Sequence, residues 1–130
     1  MDSFKTFDTV EGLMAEFDAL SKKEDRYIVL LSGSTDASTG MSWCDDCDAA
    51  KPAIEKLMQE NGGKYPAIKG TVERADWRGV ATHPYKVHPL LKAAGVPTLL
   101  LFAGTEELLR ADDLEHFGNE DMMAMFNEDA

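Results

Sequence analysis

Apolar residues recur at three- and four-residue steps through Val10, Leu13, Met14, Phe17 and Leu20. That spacing places them on one face of a helix, with Asp8 and Glu11 in capping-box spacing at its start. Ahead of it, residues 3–7 read as a short edge strand. Residues 27–32 form an unbroken and partly β-branched apolar run, the pattern of a buried strand. The next ten residues, 33–42, are rich in Ser, Thr and Gly without a period, and read as a surface loop. A second helical face follows in Cys47, Ala50, Ile54, Leu57 and Met58 and stops at Gly62 and Gly63. Pro52 lies inside this helix, where it removes one backbone hydrogen bond and should bend the axis.

Residues 67–72 are the next strand. Pro89, Leu90, Leu91, Ala93 and Ala94 predict a short helix ended by Gly95, with Pro89 in the favoured first-turn place. A strand over 98–103 turns at Gly104 and Thr105 so that 107–110 can pair back as a hairpin. Residues 112–126 are expected to be helical in part, and the tail from 120 to 130 to be a docked helix with a frayed end. The order β-α-β-α-β-α-β-β-α predicts an α/β domain, one central sheet with helices on its faces.

The chain has 130 residues, the size of one domain covering 1–130. Its 44% apolar and 28% charged residues suffice for a core without a disulfide scaffold. Thirteen Lys and Arg stand against 24 Asp and Glu, a net charge of −11. That balance argues against nucleic acid, whose non-specific binding depends on neutralising phosphates, and against anionic membranes. The opening Met1-Asp2-Ser3-Phe4-Lys5 lacks a signal-peptide pattern, and the longest apolar runs, 27–31 and 99–103, are strand-length. A soluble cytoplasmic protein is expected.

The two cysteines, Cys44 and Cys47, share the segment Trp43-Cys44-Asp45-Asp46-Cys47. A pair this close would cross-link almost no loop, so its role is chemistry or metal binding and not scaffolding. The segment falls between the loop and the first turn of a predicted helix. There, unpaired backbone N–H groups and the helix dipole stabilise a thiolate, the species that attacks disulfides. Cys44 is then the capturing nucleophile, and Cys47, one turn on, can attack the mixed disulfide and release the product.

Trp43-Cys44-x-x-Cys47, the helix carrying Pro52, and Val96-Pro97-Thr98 at the start of a later strand together resemble the thioredoxin fold. More narrowly, the chain resembles the thioredoxin-like Clot family. The shared features are Ser42-Trp43-Cys44-x-Asp46-Cys47, the preceding Gly33-Ser34-Thr35-Asp36-Ala37, Trp77, Val96-Pro97-Thr98-Leu99-Leu100 and, weakly, the closing Phe126-Asn127-Glu128-Asp129. This resemblance implies a cytosolic protein-disulfide reductase with no bound cofactor. Its redox-active Cys44–Cys47 disulfide would be regenerated by thioredoxin reductase with NADPH, and its substrates would be disulfide-containing proteins or small disulfides. It also implies that the Val96–Pro97 bond is cis beside the dithiol, that the Val96 backbone pairs with an incoming substrate strand, and that Trp43 shapes the contact surface.

Two departures bear on the chemistry. The family usually has proline where this chain has Asp45, so a further negative charge stands beside the thiolate and disfavours it. Asp45 and Asp46 are therefore expected to tune the redox potential, with the sign open because both redox states shift. Unlike thioredoxins, the strand over 27–32 contains no acid, which leaves Asp46 as the candidate base for Cys47; a helix-start role for Asp45, Asp46 and Asp48 is the competing reading.

Other readings are less favoured. Cys44 and Cys47 could be buried small hydrophobes. They could form half a zinc site with His83 and His88, but the separation is far outside finger-like spacing and no metal is expected. The three histidines, His83, His88 and His116, suit surface or capping roles, Trp77 suits core cover, and Met122, Met123 and Met125 suit packing. A thioredoxin-fold adaptor that uses redox state only as a switch is the alternative to an enzyme. An oxidase or isomerase is disfavoured by the lack of a secretion signal.

Overall fold

The computed structural model describes residues 4–23 and 25–128. Ser3 of the expected first strand and Asp129 and Ala130 of the tail lie outside them. The elements run β1 (Lys5–Phe7), α1 (Val10–Ser21), β2 (Arg26–Gly33), α2 (Asp45–Asn61), β3 (Ala67–Val72), α3 (Arg74–Trp77), α4 (Pro84–Val87), β4 (Thr98–Ala103), β5 (Glu106–Ala111), α5 (Leu114–Gly118) and α6 (Glu120–Met125).

The five strands form one mixed sheet in the order β1-β3-β2-β4-β5. Strand β3 runs parallel to both β1 and β2, while β4 is antiparallel to β2 and β5. Successive side chains of a strand point to opposite faces, so the unbroken apolar runs 27–31 of β2 and 99–103 of β4 serve both faces of the sheet. Tyr27, Val29, Leu31, Leu100 and Phe102 pack on one face with Leu13 and Phe17 of α1. Ile28, Leu30, Leu99 and Leu101 pack on the other with Ile54, Leu57 and Met58 of α2 and Phe126 of the tail. Helices on both faces of a mixed sheet agree with the expected class.

Three local expectations change. Thr9, not Asp8, caps α1, because Thr9 is the extended residue (φ −120°, ψ 147°) whose hydroxyl accepts from Gly12 N at 3.1 Å. The helix predicted over 89–94 lies earlier, as α4: Pro84 takes the first-turn place and His83 Nδ1 accepts the Tyr85 N–H. Residues 89–91 form only a turn, in which His88 Nδ1 accepts from Leu90 N and Leu91 N, and Lys92 departs with φ +43°. Leu91 and Ala93 are fully buried there. The proline rule was sound, but two His-Pro pairs satisfied it, and the second goes no further than one turn because the chain leaves helical geometry at Lys92. Of the three methionines, Met123 is buried and Met122 packs partly buried against the same core, while Met125 is 44% exposed, so packing holds for the first two and not for Met125.

The tail is docked. Asn61 Nδ2 donates to Asn127 Oδ1 at 2.7 Å, and Asn127 Nδ2 donates to Leu57 O at 3.2 Å. These bonds tie the segment after α6 to the C-terminal end of α2, beside Phe126, which is fully buried.

Candidate active site

The dithiol sits where β2 hands over, through the loop, to α2. Cys44 is the N-cap of α2, with extended backbone (φ −100°, ψ 107°), and its Sγ accepts the Cys47 N–H at 3.2 Å. A sulfur here takes the place of the usual capping oxygen, and a thiolate in it faces the positive end of a 17-residue helix. Asp45, Asp46 and Asp48 fill the acidic first turn. The Cys44 thiol also donates to Val96 O at 3.4 Å. The Val96–Pro97 bond is cis, as the resemblance implied, and Pro97 is buried beside the partly exposed Val96. The structure thus brings Cys44, Cys47, Val96 and Pro97 together.

The loop leading into the turn is ordered by its own side chains. Asp36 Oδ1 accepts from Ser38 N and Ser38 Oγ, at 2.8 and 2.6 Å, and these bonds hold its carboxyl below the usual range. Asp36 N donates to Met41 O, and Thr35 and Ser42 form an antiparallel bridge, so residues 35–42 fold back as a small hairpin. Its end is fastened to the active-site helix: Ser42 N donates to both oxygens of Asp48, at 3.0 and 3.2 Å, and Cys44 N donates to Ser42 Oγ at 3.1 Å. Trp43 is half-buried, and its indole N–H donates to Val72 O at 2.9 Å. This bond fixes its ring over the C-terminal end of β3, next to Cys44.

Cys47 has different surroundings. Its Sγ accepts the Gly33 N–H at 3.3 Å, at the very end of β2. Burial pushes its thiol up to about 12, with the neighbouring Cys44 adding to the rise and the Gly33 amide and Ser32 hydroxyl opposing it. Cys47 is therefore a thiol at neutral pH. It lines a cleft of about 480 Å³, bounded by α2, the end of β2 and the hairpin, with Ser32, Gly33, Ser42, Asp48 and Lys51.

Asp45 and Asp46 are exposed, and among the described residues neither carboxylate hydrogen-bonds a sulfur. The carboxylates that share the cleft with Cys47 are Asp48 and Glu55. In the sequence, Gly33 and Ser42 stand out only within the family motif and Ser32 has no assigned role, although the junction where the apolar run meets the loop marks the strand end that must lie under a helix-starting dithiol. Gly33 is required by space. A Cβ there would stand 2.8 Å from Ser42 Oγ, 2.9 Å from Cys44 Cβ and 3.0 Å from the Trp43 ring.

The histidines act as caps. His83 and His88 use Nδ1 to accept backbone N–H groups, and burial lowers the pKa of both. His116 Nδ1 accepts from Asp112 N at 3.2 Å. Trp77 is buried in the α1-side core. The group of potential metal ligands found among the described residues, Asp112, Asp113 and His116, includes neither cysteine.

Residues 3–129 match the family model described as "Thioredoxin domain-containing protein 17-like, thioredoxin domain". Among curated relatives, the thioredoxin-like protein Clot of Arabidopsis thaliana is 34% identical over 108 residues, covering 81% of this chain and 79% of that protein. An acireductone dioxygenase of Leishmania braziliensis is 38% identical over 102 residues, 75% of this chain but 30% of that protein. The chain thus spans under a third of the Leishmania relative it matches. Thioredoxin O2 of Arabidopsis thaliana, solved in its oxidised state, superposes with a TM-score of 0.63 over 97% of this chain and 96% of that one at 16% identity, which shows the shared thioredoxin fold. A cysteine-capped helix beside a cis Val96–Pro97 bond, a mixed five-stranded sheet and a family match over nearly the whole length agree, and the chain belongs to the thioredoxin domain-containing protein 17-like family of thioredoxin-fold proteins.

Proposed function

We propose that this protein is a disulfide reductase in which Cys44 attacks and Cys47 resolves. The observation that carries the reading is the placing of Cys44 Sγ as the cap of α2, accepting the Cys47 N–H while lying 3.4 Å from the carbonyl of Val96. A substrate strand reaching Val96 would bring its disulfide against that sulfur, with Trp43 and Pro97 framing the approach. The Cys44 thiolate attacks one substrate sulfur, and the other leaves as a thiolate. Cys47, once deprotonated, attacks Cys44 Sγ, forming the Cys44–Cys47 disulfide and releasing the second substrate thiolate. Two electrons pass from the dithiol to the substrate.

The internal disulfide is then returned to the dithiol by thioredoxin reductase at the expense of NADPH, in the cytoplasm. No cofactor resides on the chain, and the partners are that reductase and disulfide-containing proteins or small disulfides. Asp45 and Asp46 tune the potential through their charge. The test is NADPH oxidation coupled through thioredoxin reductase to reduction of insulin or cystine, with Cys44→Ser as control. Turnover well above the control is expected. Turnover equal to the control would replace the reductase with an adaptor that uses the same dithiol as a switch.

A further inference from the structure

Cys47 must lose a proton before it can resolve, yet its sulfur is buried and the acid that thioredoxins carry on the strand behind the dithiol has no counterpart in β2, whose residues are Arg-Tyr-Ile-Val-Leu-Leu-Ser-Gly. Asp45 and Asp46 hydrogen-bond neither sulfur, and both oxygens of Asp48 receive the Ser42 N–H. What β2 does place beside Cys47 is Ser32, a polar side chain only 9% exposed, next to the Gly33 amide that donates to Cys47 Sγ. Ser32 pairs with Thr71 across the parallel ladder, which fixes its backbone. Its side chain and Cys47 line the same open cleft.

We propose that the Ser32 hydroxyl is the proton-handling group of the resolving step, accepting the Cys47 thiol proton while passing its own to water in the cleft, and then donating to the Cys47 thiolate. The inference rests on the proposed resolving role of Cys47. It balances as an acid–base step: the S–H bond of Cys47 breaks, one proton reaches cleft water, and the sulfur lone pair then forms the bond to Cys44 Sγ as the substrate thiolate leaves. A hydroxyl is a donor and an acceptor at once, so it can serve both states of the sulfur where an amide such as Gly33 N–H serves only the anion. Ser32 continues the alternation of Ile28 and Leu30, the residues of β2 that pack against α2, which places it on the side of the sheet that carries Cys47, and its hydroxyl favours the thiolate there. Among the described residues, the other charged or titratable groups facing the cleft are Asp48, Lys51 and Glu55 from α2 and Lys69 from β3, with Cys44 at the helix cap. The hairpin contributes only Thr35, Gly40 and Ser42.

The test compares the wild type with Ser32→Ala, Ser32→Thr and Ser32→Val. Ionisation of Cys47 is followed by NMR of the labelled Cβ in the reduced protein, and the resolving step by single-turnover release from a preformed mixed disulfide. Losing the hydroxyl that the proposal sets against the sulfur should slow resolution at neutral pH about tenfold and move the Cys47 titration upward in Ser32→Ala and Ser32→Val. Ser32→Thr, isosteric with Val but hydroxylated, should retain both properties, and capture by Cys44 should be unchanged in all three. A Val variant that behaves like Thr, or an Ala variant with unaltered titration and release, would overturn the proposal. The titration requires no turnover. A wild type that reduces no disulfide would therefore refute the reductase reading while the titration still decides whether Ser32 acts on Cys47.

Discussion

Cys44 and Cys47 are one helical turn apart and almost equally shielded, at 8% and 7% exposure, but they face different parts of the molecule. Each sulfur accepts one backbone N–H. For Cys44 it comes from the first turn of α2, with the helix dipole behind it and the surface of Val96 and Pro97 in front. For Cys47 it comes from Gly33 at the end of the sheet, and the sulfur looks into the cleft under the hairpin. Accessibility therefore does not separate the two thiols. What separates them is which element supplies the donors, and this follows from Cys44 being the residue before the helix and Cys47 the third residue within it.

The strongest way to break this asymmetry is to remove the capping sulfur. Cys44→Ser should reduce disulfide turnover at least about a thousandfold, because the hydroxyl keeps the cap but is a far weaker nucleophile; steady-state reduction of a model disulfide checks it. The next effect comes from pH. The raised Cys47 pKa means that its thiolate fraction grows about tenfold for each pH unit between 6 and 9, and stopped-flow release from the mixed disulfide should accelerate accordingly. The same shift has a sign for stability. A thiol whose folded pKa is raised contributes fully below its unfolded value near 9, and that contribution is lost as pH climbs toward 12, so denaturant midpoints of the reduced protein should fall above pH 9.

Gly33→Ala presses on both halves of the comparison together. The added Cβ meets Cys44, Trp43 and Ser42 inside ordinary contact distance, and should cost about 1–3 kcal/mol of stability with about a tenfold loss of turnover. Chemical denaturation and the reduction assay measure the two. The smallest effect is expected at the exposed side of the turn. Asp45→Pro removes a screened negative charge near Cys44 and should quicken capture about threefold, with a measurable change in reduction potential. Identical capture rates and potentials would remove Asp45 from the tuning role.

The strands and the two long helices were legible because each has a period that one kind of packing explains. Residues 67–72 and 98–103 were bounded as they are found, and the Pro89 error arose where a proline rule applied twice within six residues. The cysteine proposed to attack could be read from its place at a helix start. Ser32 could not, and Gly33 stood out only within a motif and not for its role, since the importance of both comes from the sheet carrying the end of β2 beneath Cys47. Asp48 and Ser42 are a related case: residues six apart meet only because the hairpin turns back on the Asp36–Ser38 bonds, and no periodic signal announces such a turn.

The division of labour between the sulfurs is tested most directly by trapping. Reduced Cys47→Ser and Cys44→Ser proteins are each mixed with the same model disulfide, and the covalent adducts are quantified by intact mass. A stable mixed disulfide should accumulate on Cys44 in Cys47→Ser, with little on Cys47 in Cys44→Ser at neutral pH. Equal adduct formation in the two variants, or a dominant adduct on Cys47, would contradict the assignment of Cys44 as the attacking thiol.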